Sequence, residues 1–243
     1  MLDALRARGF EIEFHSHALS ILSVDFPTAL TEIESVLAQT SVAIREIVGS
    51  GGGEAAGTQR IRRALAEQGW VKKNFVIRKI VNDVEREATS HEIDHVKSFQ
   101  NGTLALEIEW NNKDPFFDRD LENFKRLHAE GAISVGIIVT RGTALQEALR
   151  PAVLRFATDH QITSFDDLAG FSVIPTPRQR REIERRTTAG RPFTDAWASH
   201  FVSDKFGEST THWRKLQDRV RRGVGNPCPL LLLGLSDQVI SFE

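Results

Sequence analysis

Residues 91–95 read HEIDH, two histidines four apart with a glutamate beside the first. On a helix this spacing would place His91 and His95 on one face as ligands to zinc, with Glu92 activating a metal-bound water. The residues that follow, VKSFQNGTLALEIEW, argue against a helix. Asn101-Gly102 between two β-type runs is a strong hairpin signal, because both residues tolerate the positive φ of a type I′ turn. On a strand His91 and His95 share one side while Glu92 and Asp94 point to the other, and the zinc-protease geometry fails. The extended pattern also needs a glycine and a histidine where this chain has Ser98 and Asn101. The two histidines are read as surface or packing side chains.

The hairpin suggests a different chemistry. With residues 92–99 and 103–110 as paired strands and Asn101-Gly102 at the centre of the turn, Phe99 faces Leu104, Val96 faces Glu107 and Asp94 faces Glu109. Cross-strand partners share a face, so Asp94, Glu107 and Glu109 converge with opposing β-carbons roughly 5 Å apart. Leu106 and Ile108 turn the other way into the core. Three crowded carboxylates require a cation or raised pKa values, and a hard divalent metal is the simplest solution. The plainer alternative is an exposed sheet face with scattered acids.

The elements that must position these acids follow from patterning. EIEFHSHALSILSV (11–24) looks strand-like, and Pro27 opens an amphipathic helix running to about Ala38. A second short helix is expected over 41–48. GSGGGEAAG (49–57) is a flexible break without the Gly-Lys-Ser/Thr of a phosphate-binding loop, and suits a hinge. A helix carrying Ile61, Ala64 and Leu65 ends at Gly69, and KNFVIRKIV (73–81) is a strand. Asp114 and Pro115 break the chain before a helix over 119–130 that Gly131 stops. ISVGIIVT (133–140) is a strand buried on both faces. Thr143 caps a helix bent or restarted at Pro151. The segment 171–229 reads as irregular, and PLLLLGL (229–235) as one more buried strand. The fold class is α/β: a mixed central sheet flanked by helices, in the order helix, three strands, helix, strand, helix after the glycine-rich break.

The 243-residue chain is 40% hydrophobic and holds one cysteine, Cys228, which excludes an internal disulfide and a cysteine-based zinc finger. It shows no apolar run of membrane-spanning length and no signal peptide, so a cytoplasmic location without membrane attachment is expected. Net charge is −2, but Phe171 to Gly225 holds twelve basic and six acidic residues. Solvated helix faces would account for this, as would a region that grips phosphates. Residues 1–170 are therefore expected to form the core, with 171–243 a basic region packed on it. Within that region Thr211, His212, Arg214 and Lys215 precede a helix whose amino end could meet a phosphate. Arg178, Arg180 and Arg181 could reach phosphate or a guanine edge.

Asp94, twelve residues, then Glu107-Ile108-Glu109, set on a hairpin and followed by a helix and a buried strand, resembles the PD-(D/E)XK nuclease superfamily. Most of that superfamily has lysine where this chain has Glu109. An acid or amide there is characteristic of the BamHI and BglII branch of type II restriction endonucleases, which EIDHVK, ALEIEWNNKDPFFDRDLENFKRLH and GIIVTRG also resemble over about residues 50–142. The resemblance implies a restriction-endonuclease-like core with a basic C-terminal DNA-recognition region. It implies a homodimer that uses Mg²⁺, with Mn²⁺ as a substitute, to cut both strands of a short double-stranded DNA site, paired with a cognate DNA methyltransferase. Asp94 and Glu107 would bind metal, with the Ile108 carbonyl completing the shell. Glu109 would orient or deprotonate the attacking water, or bind a second metal. Glu54, on the helix before the strands, would add an outer acid, unless it only complements that helix's dipole. Lys113 is the alternative cation for the site. The rivals are a repair or junction-resolving nuclease of the same superfamily and a non-catalytic DNA-binding module.

Overall fold

A computed structural model describes residues 1–49 and 54–242. The strands are β1 (Glu11–His15), β2 (Val42–Ala43), β3 (Val71–Val81), β4 (Val84–Phe99), β5 (Gly102–Glu109), β6 (Val135–Arg141), β7 (Leu230–Leu235) and β8 (Ile240–Ser241). The helices are α1 (Asp3–Ala7), α2 (Ala18–Asp25), α3 (Pro27–Ala38), α4 (Ile44–Gly49), α5 (Ala56–Glu67) and α6 (Phe116–Ala129), then α7 (Thr143–Asp159), α8 (Phe165–Ala169), α9 (Pro177–Thr188), α10 (Phe193–Lys205) and α11 (Trp213–Arg221). Six strands form one mixed sheet in the order β1-β7-β6-β5-β4-β3, and β2 pairs with β8 separately. The β5, β6 and β7 strands run parallel, and the outer pairings are antiparallel.

The sheet separates two apolar layers. Leu104, Leu106, Ile108, Val139 and Leu233 face the layer that includes α2, α3, α5 and α7. Ala105, Ile138, Leu230 and Leu232 face α6 and α11. In α6, Phe117, Leu121, Phe124 and Leu127 follow helical spacing and are all fully buried. Burial of side chains of this size stabilises by about 1.5–3 kcal/mol each. Both faces of β6 and β7 are covered, which explains their continuous apolar runs. The lone thiol of Cys228 lies fully buried just before β7, against Leu230 and the α6/α11 layer, and burial pushes its pKa up to about 12.

Several expectations hold. Pro27 sits in the first turn of α3, Gly69 and Gly131 take positive φ just beyond α5 and α6, and the buried strands fall where the apolar runs lie. Others are corrected. The strand-like stretch 11–24 is a strand only to His15; Ser16 and His17 turn through positive φ into α2, because the apolar residues after them pack at helical spacing. Residues 41–48 hold β2 before α4. The helix placed at 119–130 begins at Phe116. The α7 helix is continuous through Pro151, and Gly142 rather than Thr143 is its N-cap. The Thr143 amide and hydroxyl instead donate to the Glu11 carboxylate of β1. The segment 171–229 is mostly helical, comprising α9, α10 and α11. The helix expected beyond Thr211 is α11; α9 and α10 carry no such expectation, and in α9 only Ile183 is buried, too little for an apolar period. Of the break expected over 49–57, residues 50–53 lie outside the described residues, Gly49 ends α4 and Ala56-Gly57 open α5.

The hairpin also differs in detail. Asn82 and Asp83, both at positive φ, join β3 to a β4 that starts well before residue 92. At the second turn the pairs are Phe99↔Gly102, Ser98↔Thr103 and His95↔Leu106. Gln100 and Asn101 are therefore the central residues, and Gly102 (φ 146°) takes the positive φ. The register is displaced by two residues from the type I′ expectation. An even displacement keeps each β5 side chain on its expected face.

Candidate active site

The β4–β5 ladder ends at His95↔Leu106, so neither Glu107 nor Glu109 has a ladder partner on β4. Between Val71↔Val96 and Lys73↔Ile93, two steps along β3 oppose three along β4. This β-bulge contains Asp94 and His95, and bulges re-aim side chains. Asp94 stands at the fork where β4 leaves β5. Its backbone amide lies 3.4 Å from Glu107 Oε1, and its half-exposed carboxylate lies 3.6 Å from Lys72 Nζ. The bulged fork thus brings the Asp94 backbone to the Glu107 carboxylate, in place of the regular ladder expected to pair Asp94 with Glu109.

Asp94 and Ile108 border a cleft of about 950 Å³, together with Glu54, Arg45, Asn112 and Lys205. Glu54 lies just before the N-cap of α5, not on the helix as expected, and pairs with Arg62 at 3.1 Å. Glu107 and Glu109 are buried, 4% and 2% exposed. Asn112 Nδ2, from the cleft wall, donates to Glu109 Oε2 at 2.8 Å.

Sequence reasoning missed a third buried acid, Asp120 of α6, which is fully enclosed. Its signal was present: it stands on the apolar stripe, three residues after Phe117 and four before Phe124. Arg119 Nε and Nη2 reach Asp120 Oδ1 at 2.8 Å, and Nη2 lies 3.7 Å from Glu109 Oε1. Among the described residues, Asp120 Oδ2 has no hydrogen-bond partner. Burial first, and then the neighbouring acids, push Glu107 well above the ordinary carboxylate range. The same causes, burial and then Asp120, raise Glu109 to about 8. Asp120 is raised chiefly by burial.

Buried carboxylates held in their protonated range are what an added cation would relieve. Among the described residues no three acidic, histidine or cysteine side chains gather around one point. Mg²⁺ needs fewer, since it is bound by one or two carboxylates together with waters and substrate phosphates. Two carboxylates, those of Asp94 and Glu107, are available at the fork, and the charge of Asp94 contributes to the raised pKa of Glu107. His91 and His95 are packing side chains, buried with unpartnered Nε2 atoms. His95 Nδ1 lies 3.2 Å from the Leu106 carbonyl.

The expected DNA-contacting residues separate into two groups. Thr211 and His212 are buried, so direct contact with DNA is corrected for both. The Thr211 hydroxyl accepts from the Asn112 amide, and its carbonyl accepts from Arg141. Arg141 is itself buried beneath this loop, with its pKa lowered to about 9 by desolvation. Exposed positions hold Lys113, Arg178, Arg181 and Arg214, the last paired with Glu147 at 2.6 Å. Arg180 stacks over Phe165, and Lys215 lies 3.9 Å from Asp114. Arg45 and Lys205 add basic groups at the cleft; Lys205 was counted in the basic segment, whereas Arg45 gave no signal.

No helix among the described residues is long and apolar enough to cross a membrane. The curated proteins hold no match to the chain. The family model for restriction endonuclease BglII/BglIII matches residues 10–235. That span takes in all six strands of the main sheet, the acids at the fork and the basic helices after them. The chain belongs to the restriction endonuclease BglII/BglIII family.

Proposed function

We propose that this restriction endonuclease is a type II enzyme that uses Mg²⁺, or Mn²⁺ in its place, to hydrolyse both strands of a short specific sequence in double-stranded DNA. It would act as a cytoplasmic homodimer alongside a cognate DNA methyltransferase. The observation that carries this reading is the fork itself: Asp94 beside the Glu107 carboxylate at the edge of a cleft, in a chain of this family. Residues 1–170 supply the catalytic acids in this reading, and 171–243 supply most of the DNA contacts.

Asp94, Glu107 and the Ile108 carbonyl would hold the metal. When bound, Mg²⁺ stabilises charge on the phosphate and leaving oxygen and lowers the pKa of a coordinated water. Glu109 would orient the attacking water and take its proton on a carboxylate oxygen; a pKa near 8 suits a group that exchanges protons at neutral pH. Asn112 fixes the rotamer of Glu109, and Glu54 stands across the cleft as an outer acid. Lys113, Arg178, Arg180, Arg181, Arg214 and Lys215 would contact DNA, joined by Arg45 and Lys205 at the cleft. Positioning supplies most of the catalysis in such a reaction.

The test is incubation of plasmid with purified protein and Mg²⁺. Discrete fragments are expected. A smear or structure-specific nicks would support a nuclease without fixed sequence, and intact DNA a binding module. Asp94→Asn is expected to abolish cleavage and retain DNA binding; undiminished cutting by that variant would sink the site assignment.

A further inference from the structure

We propose that Arg119 is the phosphate-contacting cation of this site, and that Asp120 is the residue that positions it. The inference rests on the nuclease reading above. It begins from an electrostatic difficulty: Glu107, Glu109 and Asp120 are all buried at the fork, and a phosphodiester brings further negative charge to them. Among the described residues, Arg119 is the cation within ion-pair distance of both Glu109 and Asp120.

Its geometry is that of a held group. Nε donates to Asp120 Oδ1 and Nη2 lies 2.8 Å from the same oxygen, the guanidinium lies 4.4 Å from the centre of the Phe116 ring, and Nη2 faces Glu109 Oε1 at 3.7 Å. Three neighbours thus restrain a side chain that would otherwise sample many rotamers, and a pre-positioned fork of donors suits phosphate. The restraint is one-sided. Nη1 has no hydrogen-bond partner among the described protein groups, and the side chain remains 53% exposed while Asp120 is 1% exposed. A buried carboxylate therefore anchors an arginine that still has donors to offer. Asp120 occupies the apolar stripe of α6, so the anchor is fixed by the packing of Phe117, Leu121 and Phe124 around it.

The test combines binding and cleavage. Affinity for a duplex fragment from a plasmid the enzyme cuts is measured in EDTA across a salt series, for wild type, Arg119→Ala and Arg119→Lys. A lost phosphate contact makes the slope of log affinity against log salt shallower by about 1 in Arg119→Ala. Arg119→Lys is expected to restore that slope. Plasmid cleavage in Mg²⁺ is expected to fall about a hundredfold in Arg119→Ala and to recover only partly in Arg119→Lys, which lacks the fork. Asp120→Asn is expected to keep the slope and lose cleavage rate. Near-UV circular dichroism checks folding, and Arg119→Gln carries the measurement if the alanine variant does not fold. A wild-type slope in the charge-removed variant overturns the inference, whether or not the protein cuts. Failure of the wild type to cut a panel of plasmids counts against the nuclease reading instead; the slope, read then on an arbitrary duplex, still decides for or against Arg119.

Discussion

Glu109 binds its proton more tightly in the folded protein than in the unfolded chain, where its pKa returns to about 4.5. An acid raised in this way lowers stability as pH climbs from the unfolded value towards the folded one, because the native state holds the extra proton. Thermal melts of metal-free protein are therefore expected to show stability lost between pH 4.5 and about 8 and level above it. Glu109→Gln should make that profile shallower, Glu107 and Asp120 being raised as well, and a profile unchanged by the substitution would remove Glu109 as a source. Mg²⁺ should flatten it as well, since a cation favours the ionised acids. At this scale part of the candidate site was legible: the hairpin pattern brought Asp94 near Glu107, as the contact between the Asp94 amide and the Glu107 carboxylate does, although it expected a regular ladder there. Asp120 was missed because DRDLEN reads as a solvated charge run, although its place between Phe117 and Phe124 marks it as inward-facing. Thr211 and His212 were misjudged because no local pattern reveals that Arg141, some seventy residues earlier, binds their loop from below.

The elements that carry these residues are held by close contacts that a sequence pattern shows only as small residues. Gly136 of β6 lies directly under Phe124 of α6, and a β-carbon there would overlap the ring. Gly136→Ala must push α6 outward, at a cost of about 1–3 kcal/mol for overpacking, which lowers Tm by roughly 2–4 °C for each kcal/mol in a protein of this size. Because α6 carries Arg119 and Asp120, cleavage should fall further than stability alone accounts for. A melting temperature equal to wild type would show that the contact is slack. The same scale explains the errors in reading. A β-bulge has no reliable sequence signal, so the ladder expected through Asp94 and Glu109 could not be distinguished from the fork. In α9 the charged residues far outnumber the single inward-facing Ile183, and a helix of that kind looks like a loop.

Across the whole molecule, the division proposed near residue 170 is not a division of folding. The β7 strand comes from the C-terminal region yet lies in the main sheet between β1 and β6, where all of its residues are buried. A fragment of residues 1–170 would leave the edges of β1 and β6 unpaired, along with the apolar surface that Leu230–Leu235 covers. It is expected to lack cooperative unfolding and near-UV dichroism; a sharp melt from that fragment would contradict the arrangement. The buried strand itself was plain in PLLLLGL, but its neighbours were not, because pairing between the two ends of the chain leaves no mark in either segment. The enclosed Cys228 has a practical side. Its sulfur is shielded and overwhelmingly a neutral thiol, so maleimide and similar reagents find no native target. A single cysteine introduced at the Asn82-Asp83 turn would then be the chain's one reactive thiol, and a fluorophore pair attached there could report the spacing between two copies on DNA without any prior removal of native residues.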